Sequence, residues 1–142
     1  KGKLMTRREI REEIFKLLFE YELIDNDIEK RINETIAEEN LKRDEEIDFL
    51  RSYITEIIEN KDILTDRIRQ VLDGWTYERL GTIEKVLLKI SFYEITIKDI
   101  GYEIAINEVL EIAKKYSYND TKDFLNGILA KLVQNIKDEK QK

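Results

Sequence analysis

An all-α fold is predicted by three features of this 142-residue chain. It has no proline and only five glycines, too little punctuation for a multi-strand fold. Its apolar residues return every three or four positions almost from end to end, which is the period of a helix face. Hydrophobic residues make up 42% and charged residues 39%, enough for a core under a solvated surface. The expected architecture is about seven helices in two packed helical bundles forming one domain. The bundles span residues 5–73 and 75–137, with no flexible linker between them.

Each element has its own signal. Thr6-Arg7-Arg8-Glu9 reads as a capping box. It opens a helix with Ile10, Ile14, Leu17, Leu18 and Tyr21 on one face. A second helix carries Ile28, Ile32 and Ile36. A third, from about Asp44, carries Ile47, Leu50, Tyr53, Ile54, Ile57 and Ile58. A short fourth uses Leu64, Ile68, Val71 and Leu72 and stops at Gly74, a C′ glycine. Trp75 to Gly81 reads as a packed connection. The fifth helix starts at Thr82 and carries Ile83, Val86, Leu87, Ile90 and Tyr93. The sixth follows Gly101 with Ile106, Val109, Leu110, Ala113 and Tyr116. The seventh starts near Asp120 with Phe124, Leu125, Ile128, Leu129, Leu132 and Val133. Asn126-Gly127 is a hairpin-turn dipeptide, but the apolar spacing runs straight through it and keeps the helix. A mid-helix glycine costs about 1 kcal/mol against alanine, and close approach of another helix would account for it. Residues 137–142 are polar and read as a frayed end. Met5 is a candidate native start, with residues 1–4 an addition before it.

The inventory for catalysis is thin. The chain has no cysteine and no histidine, which removes disulfides and the commonest zinc, haem and iron–sulfur ligands. Ser52, Ser91 and Ser117 lie outside any nucleophile elbow. The glycines are too scattered for a dinucleotide fingerprint or a phosphate loop. Glu45 and Glu46 could hold magnesium, but acidic residues are favoured at a helix start in any case. No catalytic residue, resident metal or cofactor is expected. No apolar run approaches the ~20 residues needed to span a bilayer, and a cytoplasmic protein with no membrane partner is expected.

Charge is uneven. The chain is −6 overall, yet residues 1–21 carry net +2, residues 22–73 net −8 and the remainder zero. Arg7, Arg8 and Arg11 crowd the start of the first helix, where the helix dipole favours acidic side chains. A positive helix end bearing guanidinium groups is suited to phosphate. At 100° per residue the three arginines fall within an arc of about 100°, with Phe15 and Phe19 on the side of Arg8. Arginine interleaved with aromatic rings suits single-stranded nucleic acid, guanidinium to phosphate and ring to base. The same spacing also fits core phenylalanines and arginines paired with glutamates. Lys85 and Lys89, with Lys114, Lys115 and Lys122 near the last turn, could form a second basic cluster. The acidic middle argues against general coating of nucleic acid and for binding assisted by a partner.

Three blocks carry a resemblance. The first is Arg7-Arg8-Glu9-Ile10-Arg11-Glu12 followed by Leu17-Leu18-Phe19. The second is Trp75 and Glu78-Arg79-Leu80, then Ile83-Glu84-Lys85-Val86-Leu87-Leu88-Lys89-Ile90 and Tyr93-Glu94-Ile95. The third is Ala105-Ile106-Asn107-Glu108-Val109, Ile112-Ala113-Lys114-Lys115-Tyr116 and Phe124-Leu125-Asn126-Gly127-Ile128-Leu129. In this order and spacing the chain resembles the NusB family of transcription antitermination factors. Residues 24–60 match only in helical pattern. Where the family usually has proline before the third block, this chain has Asp99-Ile100-Gly101-Tyr102. Where the family often has tyrosine, Phe19 keeps the stacking face and gives up a hydroxyl.

The resemblance implies an all-helical, non-enzymatic protein that binds boxA-type single-stranded RNA of ribosomal RNA transcripts. It implies the NusE ribosomal protein as partner, within an RNA polymerase antitermination complex that prevents premature termination. By similarity Arg7, Arg8, Arg11, Phe19, Asp120, Lys122 and Phe124 are the RNA-binding candidates. Glu78 and Glu84 are the partner-binding candidates. A homodimer is also compatible with the family. The competing readings are a helical protein-interaction scaffold and an RNA-binding domain detached from a ribosomal RNA methyltransferase.

Overall fold

The computed structural model describes residues 4–141. Apart from Leu4, the segment before the candidate start at Met5 lies outside the described residues. Seven α-helices and no strand are present among those described: α1 (Arg7–Leu23), α2 (Ile28–Glu38), α3 (Asp44–Glu59), α4 (Lys61–Gln70), α5 (Thr82–Thr96), α6 (Tyr102–Tyr116) and α7 (Asn119–Lys140). A single 3₁₀ turn, Tyr77–Arg79, precedes α5.

The chain forms two compact units that divide between Asn60 and Lys61. The sequence pattern places the division at Gly74 instead. The difference arises because α4 packs against α5, which assigns it to the second unit.

In the first unit, α1 packs along α3 and is flanked by α2. The capping box forms as expected. Thr6 Oγ1 accepts from the Glu9 amide at 3.0 Å, and Glu9 Oε1 accepts from the Thr6 amide at 2.8 Å. Ile10, Ile14, Leu17 and Leu18 are buried, as are Ile32, Leu50, Tyr53, Ile54 and Ile57. Glu46 is buried as well and accepts the Met5 amide at 3.2 Å. That bond fixes the entry to α1, a structural use for a carboxylate considered above as a magnesium ligand. α2 ends without glycine. Asn40 adopts φ +56°. The Leu41 and Asn40 amides donate back to the Ile36 and Ala37 carbonyls, closing a Schellman motif.

In the second unit, α5 is the central element. Val86, Leu87, Leu88, Ile90, Phe92 and Tyr93 are all buried, more of its circumference than a single apolar stripe provides. Both α6 and α7 pack on it. Two helix ends differ from expectation. α4 stops at Gln70, and the Val71 and Leu72 amides tighten its last turn by bonding the Ile68 and Arg69 carbonyls. Gly74 follows with φ +75°, so its left-handed backbone redirects the chain beyond the helix rather than ending it. α7 runs to Lys140 instead of fraying from residue 137, because Ile136 is still part-buried and the polar end remains in helical register.

Candidate nucleic-acid interface

The arginines of α1 divide by burial. Arg7 and Arg8 are exposed, whereas Arg11 is only 8% exposed. Arg11 stands one turn before Phe15 and two before Leu18, and both of those are buried. It therefore lies on the face of α1 that meets the rest of the unit. Its guanidinium is 5.5 Å from the centroid of the Phe49 ring on α3. Arg7 shares the same ring at 4.3 Å. Phe49 is in turn held by Tyr53, with centroids 4.3 Å apart. One aromatic ring thus carries two guanidinium groups, and a cation–π contact holds a guanidinium in place without removing its charge.

Arg11, an RNA-binding candidate in the sequence, is the least exposed of the three arginines and rests on the Phe49 ring beside Arg7. Of the two readings open for Phe15, stacking ring or core, the structure shows the core one, since Phe15 is 2% exposed. Phe19, one turn later, remains part-exposed and leans on Phe15 at 5.9 Å. Phe49 is absent from the candidates read in the sequence. Its only signal there is an aromatic one turn before Tyr53, and nothing local links it to residues 7 and 11.

The second unit holds the remaining candidates. Asp120 is exposed in the first turn of α7, and Lys122 and Phe124 are part-exposed. Phe124 meets Trp75 edge to face, with centroids 5.3 Å apart and planes at 67°. Trp75 is 54% exposed, so the stretch expected to be a packed connection presents its largest side chain to solvent. Lys85 and Lys89 gather with Arg69 on one aromatic ring. Their ammonium nitrogens lie 5.2 and 5.8 Å from the Tyr77 ring centroid, and the Arg69 guanidinium lies 5.2 Å from it. Lys114 is paired with Glu111 at 3.3 Å.

The two partner candidates also have bonds within the chain. Glu78 receives both Arg69 guanidinium nitrogens, at 3.1 and 2.6 Å. This bidentate bond holds its carboxyl down at about 2. Glu84 Oε1 accepts the Gly81 amide at 2.8 Å and caps α5.

The profile of the NusB family matches residues 8–134. A transcription antitermination protein NusB from a Nitratiruptor species is 32% identical, with 98% of this chain and 99% of that protein covered. A solved structure of T. maritima NusB superposes with a TM-score of 0.79 at 32% identity, covering 93% of each chain. A crystal structure described as antitermination factors NusB and NusE in complex with dsRNA gives a TM-score of 0.80 at 19% identity. It covers 91% of this chain and 96% of that one, a likeness of fold. On the family match and the identity to its members, the chain belongs to the NusB family.

Proposed function

We propose that this protein is a non-enzymatic transcription antitermination factor that binds boxA-type single-stranded RNA together with NusE. The observation that carries the reading is the pair Arg7 and Phe49. An otherwise acidic chain holds an exposed guanidinium on an aromatic platform, at the positive end of a helix. Arg7 and Arg8 take the RNA backbone, and Phe19 offers a ring to a base. Asp120, Lys122 and Phe124 form a second group on α7. Arg11 supports Arg7 from behind.

The charge balance favours an assisted complex. A chain of net −6 repels RNA beyond its basic spot, and a basic partner both offsets this and adds phosphate contacts. Glu78 and Glu84 are the groups proposed to face that partner. Relatives named transcription antitermination proteins, and a fold neighbour crystallised with NusE and dsRNA, support the assignment. A place in the RNA polymerase antitermination complex, in the cytoplasm, follows from the same reading.

The functional test is transcription in vitro through a terminator placed downstream of a boxA element. Adding the protein with NusE should raise read-through, and the Arg7→Glu, Arg8→Glu variant should not. Read-through that is unchanged by the wild-type protein would contradict the proposal.

A further inference from the structure

Gly127 lies in the middle of α7, where glycine weakens a helix relative to alanine. A packing partner would explain it, but a Cβ built at this position meets nothing within 4 Å among the described residues. The space it leaves belongs to an open groove of about 310 Å³ within the second unit. Val71, Leu72, Trp75, Phe124, Gly127 and Ile128 form its apolar lining, and Asp73, Asp123 and Lys131 are its charged lining residues. Lys131 is tied to Asp73 by an ion pair. Trp75 is more than half exposed beside Phe124, although indole is among the most apolar surfaces a protein can bury.

We propose that this groove is a nucleobase pocket, with Trp75 a base-binding residue and Gly127 its floor. This rests on the RNA-binding reading above and extends it to residues that reading does not include. Three features select a base as the occupant. An aromatic pair whose indole is more than half exposed offers a surface for the flat face of a base, and stacking of this kind is how single strands are held. The bare backbone at Gly127 admits a flat group that any side chain would obstruct. Of the charges at the rim, Lys131 and Asp73 offset each other in their ion pair, and Asp123 is left to repel phosphate. A base therefore enters with its backbone left outside. A carboxylate such as Asp123 accepts from an exocyclic amino group, which favours a base bearing one, such as cytosine.

Trp75 is the only tryptophan in the chain, so its emission reports directly on the groove. Titrating the protein at low salt with boxA-type single-stranded RNA should quench that emission along the same curve as anisotropy of the labelled RNA. Gly127→Ala should raise the melting temperature by roughly 4 °C while weakening RNA binding. Gly127→Leu and Trp75→Ala should each weaken it about tenfold. With single abasic sites placed along the RNA, one position should lose its penalty in Gly127→Leu, because the base missing there is the one the variant already excludes.

RNA binding with unchanged Trp75 emission and wild-type affinity in Gly127→Leu would overturn the pocket and leave the RNA-binding reading standing. Loss of NusE binding by Gly127→Leu in the absence of RNA would overturn it in favour of a protein side chain as occupant. Absence of RNA binding by the wild type, alone and with NusE, would remove both readings.

Discussion

The guanidinium of Arg7 lies 4.3 Å from the centre of the Phe49 ring, joining the first turn of α1 to the second turn of α3. A flexible arginine at a helix end would lose considerable side-chain entropy on gripping a phosphate. Resting on a ring, it has already lost part of that freedom, and its charge stays available. Phe49→Leu should therefore lower RNA affinity about threefold, consistent with loss of a part-exposed cation–π contact. Circular dichroism should show unchanged helicity. Unaltered affinity would mean that the ring does not organise Arg7.

Arg8 and Arg11 should separate stability from binding. Arg8 is exposed, so Arg8→Ala should change stability by no more than about 0.5 kcal/mol and weaken RNA binding about threefold. Arg11 is buried against α3, and Arg11→Ala should cost about 1–2 kcal/mol through lost packing of its stem. Urea unfolding of both variants, beside their RNA affinities, reads the two effects. Equal stabilities would show that Arg11 is not the brace its burial suggests.

The capping box sets where α1 begins and so where the arginines stand. Thr6→Ala removes the acceptor for the Glu9 amide and should cost about 1 kcal/mol. Hydrogen exchange at the first turn of α1 should rise, and RNA affinity should fall modestly because Arg7 and Arg8 lose their fixed frame. Unchanged exchange at residues 7–10 would contradict this.

Glu78 gives a pH-dependent prediction. Its carboxyl ordinarily titrates near 4.5, and the Arg69 hydrogen bonds hold it down to about 2. A depressed folded value means that the pair's contribution is complete above about 4.5 and is lost as pH falls towards 2. The pair is exposed, so the loss should be small and screened by salt. A carboxyl titration by NMR should show Glu78 well below the other glutamates in the wild type and returned to the ordinary range in Arg69→Gln. The same substitution frees Glu78 for a basic partner, and NusE affinity should rise.

Much of this is legible in the sequence. The 3.6-residue period locates every helix, and the Thr6–Glu9 box marks the start of α1. What one helix cannot reveal is which neighbour covers it. A wheel places Arg7, Arg8 and Arg11 in one arc, and only α3, distant in the chain, separates the exposed pair from the buried brace. The same limit hides Phe49 and leaves two readings open for Phe15, which the structure places in the core. Helix ends depart from expectation where glycine is taken as the stop signal. Asn40 supplies a left-handed cap without being glycine, and Gly74 has the left-handed conformation beyond the end of α4. Gly127 reads as a contact between helices, whereas the structure shows open space there.

The most direct test of the central claim is fluorescence anisotropy of labelled boxA-type RNA, titrated with the protein alone and with NusE present. Binding should be weak with the protein alone and tighter with NusE, and Arg7→Glu with Arg8→Glu should abolish both while helicity is retained. Binding by the wild type that the double variant leaves intact would contradict the placement of RNA on α1, and no binding in either condition would contradict the function itself.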